Sequence, residues 1–125
     1  MNKIDKSIQK FIEETYKRYD GEINTNNLPD IGKFLAPNCK IIFDNKKLSV
    51  DEAQKLEKEK CKQLKYIKAD IIDMISLNKD DGYYLILSNW TLKALNNTES
   101  VLPKMEVYKI ENNQVTELYG LMDND

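Results

Sequence analysis

YYLILSNWTLKALNNTESVLPKMEVYKIENNQVTELYGLMD, residues 83–123, reads as three long strands in succession. Tyr83–Leu95 places Tyr84, Ile86, Ser88, Trp90 and Leu92 on one side at a period of two. Leu102–Glu111 does the same with Glu106, Tyr108 and Ile110, and Gln114–Met122 completes the set. Asn96–Ser100 separates the first two strands. Asn112-Asn113 makes a tight hairpin between the last two, because asparagine tolerates positive φ. The chain therefore ends in an antiparallel meander that the earlier segments must cover.

Working back toward the N-terminus, Asn78–Gly82 is a turn, and Tyr66–Leu77 is a fourth long strand. Ile67, Ala69, Ile71, Ile75 and Leu77 share one of its faces, while Tyr66, Ile72 and Met74 offer a competing register that leaves the side of Asp73 open. Ser49 and Glu52 form a capping-box pair, which starts a helix at Val50. That helix runs to about Leu64 on a thin apolar edge of Val50, Ala53, Leu56, Cys61 and Leu64, as a charged surface lid with one side on the sheet. Cys39–Asp44 is a strand closed by the turn Asp44-Asn45-Lys46. Pro29–Leu35 is expected as a short helix stopped by Ala36-Pro37-Asn38. Ile4, Ile8, Phe11, Ile12, Thr15 and Tyr19 predict an amphipathic helix over residues 4–19, with Glu13–Lys17 and Glu14–Arg18 as surface pairs. Gly21 stops it, and Glu22–Asn27 is a loop.

The order is helix, helix, strand, helix and four strands, an α+β layout. Four strands of about ten residues make a twisted, curved antiparallel sheet. N-terminal helices packed into its concave side give a cone, a shape that leaves a deep cavity of the kind ligands use.

Composition narrows the chemistry. At 125 residues one domain is expected, and the net charge of -2 provides no electrostatic footprint for nucleic acid. Lysines alternate with acids, as in Lys55-Leu56-Glu57-Lys58-Glu59-Lys60, so these runs read as solvated faces. The N-terminus lacks the apolar core of a signal peptide, and no run approaches a membrane span, so a cytosolic (cytoplasmic) protein without a membrane partner is expected. Cys39 and Cys61 read as small buried hydrophobes. The sequence has no histidine, which excludes Ser-His and Cys-His nucleophilic machinery and imidazole zinc sites. No metal and no cofactor are expected. Acid–base chemistry is left to carboxylates, tyrosines, lysines or a thiol.

Phe34-Leu35-Ala36-Pro37-Asn38 running into Ile41-Ile42-Phe43-Asp44, and the ending Val107–Asp123, resemble two segments of the nuclear-transport-factor-2-like (NTF2-like) superfamily. This superfamily, with a cystatin-like cone, includes ketosteroid isomerase and the SnoaL-like polyketide cyclases. The resemblance spans nearly the whole chain and is carried by order and spacing. It implies an α+β cone and a homodimer packed through the outer sheet face. Glu106 falls where ketosteroid isomerase has the protonated aspartate of its oxyanion hole. Asp44 matches the general-base aspartate with a one-residue shift, and Tyr16 and Tyr19 are similar to the donor tyrosine. Asp123 matches the terminal aspartate. Asn replaces the hairpin glycine, Tyr119 replaces the closing tryptophan, and the histidines of cyclase relatives are missing.

Each candidate has a plainer reading beside the chemical one. Glu106, pointing into the cone, would be a desolvated acid, base or hydrogen-bond donor; alternatively Lys104 and Glu106 mark a solvated strand end. Asp44 is a base at a pocket mouth or an ordinary turn residue. Trp90, Tyr108, Tyr119 and Tyr19 line a ligand cavity, or fill core and interface. Three functions follow: a cofactor-independent isomerase, lyase or hydrolase using Glu106, Asp44 and Tyr16 on a small apolar molecule; a non-catalytic binder of such a molecule; or a dimerisation and protein-interaction module with a filled cone. For the first, Glu106→Gln is expected to abolish turnover and leave stability nearly unchanged or raised.

Overall fold

The computed structural model describes residues 4–78 and 80–122. Asp123, expected to be a family-like terminal aspartate, lies outside them. Helices α1 (Lys6–Tyr16) and α2 (Val50–Lys62) accompany β1 (Asp20–Glu22), β2 (Leu35–Phe43), β3 (Lys46–Leu48), β4 (Leu64–Asn78), β5 (Tyr83–Ala94), β6 (Glu99–Glu111) and β7 (Gln114–Met122). The strands form one sheet in the order β1-β4-β5-β6-β7-β2-β3. The expected α+β cone is present, with one difference in its sheet. β2 runs parallel to β7, with Ile41 beside Leu118 and Phe43 beside Gly120, so the sheet is mixed.

The expected second helix is reduced to a 3-10 turn, Ile31–Lys33, capped by Asp30 accepting from the Gly32 N–H at 2.9 Å. Its C-terminal part is drawn into the sheet instead. The Val115 N–H donates to the Phe34 carbonyl at 2.8 Å, and Leu35 through Asn38, read as helix end and stop, are already strand β2. Backbone pairing with β7 outweighs the weak propensity of one helical turn.

α1 is capped by Asp5, whose carboxylate accepts from the Ser7 N–H at 2.8 Å. It ends at Tyr16, three residues before the expected last helical residue, Tyr19. Beyond it the chain turns into the sheet, where the Ala69 N–H donates to the Tyr19 carbonyl at 3.1 Å. Gly21, expected as a helix stop, sits in β1 with φ +130. Asp44 (φ 49) and Asn45 (φ 67) hold the left-handed region together, as do Asn112 (φ 51) and Asn113 (φ 58). Both pairs meet the demand of two-residue hairpins, and the first one creates β3, which the sequence reading missed.

β4 holds both registers that its sequence offered. Ile67, Ala69 and Ile71 face inward until a bulge between Ile71 and Asp73 shifts the parity. Past it Met74 and Ser76 face inward, Ile72 and Leu77 are exposed, and Asp73 faces solvent. An extra residue also bends the strand, which helps the sheet curl around its contents. Those contents differ along the inner face. Under α1, Ile86 and Tyr108 pack in one buried cluster with Ile12 and Tyr16 of the helix. Beneath α2 a cavity remains between helix and sheet. Among the described residues no helix is long and apolar enough to cross a membrane.

Candidate functional site

The cavity has a volume of about 390 Å³. Its walls are mostly apolar: Leu35 and Ile41 from β2, Leu64 and Ile67 from β4, Trp90 and Leu92 from β5, Leu118 from β7, and Ala53 and Cys61 from α2. It opens beside the exposed Leu56, Lys60 and Gln63. Polar groups converge on it as two ion pairs.

The first comes from alternate positions of β6. Lys104 and Glu106 share the inward face with Tyr108, and both line the cavity wall. The Glu106 side chain is only 3% exposed and that of Lys104 8%, so the reading as a solvated strand end is incorrect. Lys104 Nζ lies 3.6 Å from Glu106 Oε2. The other carboxylate oxygen accepts a hydrogen bond from the Tyr16 hydroxyl. Lys104 Nζ also sits 3.9 Å from the centre of the Trp90 ring and 5.0 Å from that of Phe43. The indole N–H of Trp90 donates to the Ser88 hydroxyl at 2.9 Å, and Ser88 in turn donates to the Lys104 carbonyl at 3.4 Å. Ring and ammonium are thereby held against each other. Phe43 reaches the site across Gly120, where a Cβ would stand 2.6 Å from its ring.

Burial shifts the groups around this pair. Burial first, then the Glu106 charge, holds the Tyr16 phenol well above its ordinary 10.0, and the same two causes raise Tyr108. Burial also lowers Lys104 below its ordinary 10.5; Glu106 opposes that shift, while Arg18 and Lys60 add to it.

The second pair joins three segments. Arg18 Nε donates to Glu57 Oε2 at 3.0 Å, the Tyr19 hydroxyl donates to the same oxygen, and the Ile31 N–H donates to Oε1 at 2.7 Å. The sequence pattern predicts Arg18 as a surface partner of Glu14. It turns inward instead, and its Nη2 donates to the Tyr19 oxygen at 3.1 Å. Burial, the largest single influence, disfavours the charged guanidinium, but Glu57, Tyr108 and Glu106 together outweigh it and raise the pKa. Glu57 was legible: it follows Ala53 and precedes Cys61 by four residues each, on the inward stripe assigned to Leu56.

The structure brings Glu106, Trp90 and Tyr19 to the cavity wall and sets Tyr16 directly behind Glu106. Tyr108 is fully buried under α1, its hydroxyl 3.4 Å from that of Thr15. Since Thr15 gives its own proton to the Ile12 carbonyl at 2.7 Å, Tyr108 is the donor. Tyr119 points to the opposite sheet face, where it donates to Glu117. Asp44 sits in the β2–β3 turn, its N–H bonded to the Gly120 carbonyl at 3.0 Å, outside the cavity lining. Lys104, Arg18 and Glu57 are the lining groups that the sequence reading did not select. Both thiols are buried, and burial pushes each up to about 11, so Cys61 is an apolar part of the wall at neutral pH. Among the described residues no three Cys, Asp or Glu side chains converge as metal ligands do.

No protein-family model and no curated protein sequence matches this chain. Its backbone, by contrast, superposes on many solved structures. AclR from Streptomyces galilaeus, a candidate hydroxylase, aligns with TM-score 0.77 at 11% identity, covering 94% of this chain and 89% of that one. A candidate SnoaL-like polyketide cyclase from Jannaschia aligns with TM-score 0.70 at 10% identity, covering 98% and 92%. A protein with a ketosteroid isomerase-like fold from Catenulispora acidiphila, crystallised with trimethylamine, aligns with TM-score 0.70 at 9% identity, covering 88% and 82%. The chain has the NTF2-like fold. At such identities the likeness concerns the fold alone.

Proposed function

We propose that this protein binds a small, largely apolar molecule in the cavity beneath α2. The observation that carries this reading is an open, apolar-walled space of about 390 Å³ with a buried carboxylate and a buried ammonium side by side on one wall. That is the usual anatomy of a small-molecule site: area for affinity, a few fixed polar groups for orientation. A domain serving only to present a surface has no need of such a space. The structural neighbours with polyketide cyclase and hydroxylase names support the reading by analogy of fold.

Trp90 supplies the test, since it is the sole tryptophan of the chain and lines the cavity. Titration with planar aromatic ligands is expected to change its emission saturably. Ala53→Phe, which fills the space from α2, is expected to weaken that binding at least about tenfold, the equivalent of 1.4 kcal/mol. Equal affinity in both proteins would place the ligand elsewhere.

A catalytic reading builds on the same groups. Glu106 would take or give the proton of a bound substrate, oriented by Tyr16 and balanced by Lys104, in an isomerisation, elimination or hydrolysis that needs no cofactor. Asp44 has no part in this version, because it stands outside the cavity.

We also propose a homodimer through the opposite sheet face. Met105 lies between its cross-strand neighbours Leu87 and Leu121; Met105 and Leu121 are exposed, as is Val101 four residues away on the same strand. Exposed apolar side chains adjoining across strands favour a covering surface. Sedimentation velocity is expected to give a dimer that Met105→Lys converts to monomer. A monomeric parent protein would dispose of the idea.

A further inference from the structure

A ligand-orienting role uses Glu106 fully but leaves Lys104 over-built. Lysine is among the residues least often buried, and its long chain normally carries the ammonium out to water. Here the amine ends on the wall of a cavity, beside Glu106 at 3.6 Å and over the Trp90 ring at 3.9 Å. It rides on a central strand, on the same inward face as the buried Glu106, Tyr108 and Ile110. Burial depresses its basicity, with Arg18 and Lys60 contributing in the same direction. A desolvated lysine next to other cations is the form in which this side chain acts as a nucleophile.

We propose that Lys104 condenses with the carbonyl group of an apolar aldehyde or ketone bound in the cavity to form an imine, with Glu106 relaying the proton. This rests on the cavity being a ligand site. The Lys104 ammonium first gives a proton to Glu106 Oε2, which frees the Nζ lone pair. In the addition step that lone pair forms the C–N bond, the carbonyl π electrons move to oxygen, and the oxygen takes the proton from Glu106. A second amine proton then passes to Glu106 Oε2. In the last step Glu106 returns it to the departing hydroxyl, the C–O bond breaks, and water leaves as C=N forms. One ammonium and one carbonyl give one protonated imine and one water, with the Glu106 carboxylate restored and no oxidant or reductant. The apolar walls favour the dehydrated product, and Tyr16 holds the other carboxylate oxygen still during the transfer. The substrate class that follows is a carbonyl compound with an apolar body.

The test is reductive trapping of the intact protein with 2-naphthaldehyde and sodium cyanoborohydride, read by peptide mapping. Lys104 is expected to acquire the reduced adduct at least about tenfold faster than the exposed Lys46 and Lys47, which lie outside the cavity lining and have no bound, oriented carbonyl. Lys104→Arg is expected to remove that fast adduct. The comparison among lysines of the parent chain stands even if the variant fails to fold. Trp90 emission, followed before reductant is added, separates the two levels of the idea. A saturable emission change with Lys104 labelled no faster than Lys46 overturns the imine and leaves the ligand site. No emission change and no fast adduct overturns both.

Discussion

Glu106→Ala is expected to lose about 3–5 kcal/mol of folding stability, measured by urea unfolding at neutral pH. The substitution leaves the Lys104 ammonium, 3.6 Å from the vanished carboxylate, in a site that is 8% exposed. It also takes the acceptor from the buried Tyr16 hydroxyl. Attraction to the Trp90 ring is the remaining compensation, and a desolvated cation–π contact is worth only about 2 kcal/mol. With Lys104 in place, the stability expectation for Glu106→Gln also changes: Gln keeps an acceptor for Tyr16 but removes the charge, so stability should fall, by less than for Ala. Replacing both partners, Lys104→Met with Glu106→Leu, is expected to recover most of the loss, since an apolar pair has no charge to leave stranded.

The same pair sets a pH signature. Lys104 has a folded pKa below its ordinary 10.5, so between those two values the unfolded chain binds more protons. Its contribution to stability therefore rises with pH through that window. Glu106 limits the depression, so removing it should widen the window downward. The deficit of Glu106→Ala should shrink as pH is raised from neutrality toward 10, before the buried tyrosines begin to oppose the trend. A deficit below about 1 kcal/mol, flat with pH, would show that the pair carries little.

Ile12→Ala is expected to cost about 2–5 kcal/mol, the range for truncating a buried isoleucine that its surroundings cannot replace. Ile12 is fully buried and sits in the middle of α1, one turn before Tyr16. The helix has few other deep anchors, with Thr15 and Tyr16 the only further buried residues along it. Loosening it also reaches the site, because the Tyr16 ring stands 6.2 Å from that of Trp90 and its hydroxyl holds Glu106. Trp90 emission should therefore shift under native conditions, before the unfolding transition. A normal emission spectrum with a full stability loss would mean that α1 packs without steering the cavity wall.

The chain's own order of elements carried the architecture. Period-two alternation through residues 83–122, a capping box at Ser49 and Glu52, and paired asparagines at 112 and 113 act locally, between residues close in the sequence. Such signals survive whatever the rest of the chain does. Side-chain parity likewise grouped Glu106 with Tyr108 and Ile110, and Trp90 with Tyr84, Ile86 and Ser88, and the structure turns both groups inward. Three features resisted because they depend on partners distant in the chain. The Pro29–Leu35 helix gave way to pairing with a strand some eighty residues later, and the same pairing made the sheet mixed. The bulge in β4 switched its inner residues from odd to even positions, and neither register by itself announces where the switch falls. Charged groups were the hardest to place. Lys104, Arg18 and Glu57 carry residue types that belong in water, and residue type outweighs even the helical spacing that sets Glu57 on the inward stripe. Only the folded chain supplies the opposite charges and the cavity that hold them inside, because the free energy of a buried ion is set by what surrounds it in space.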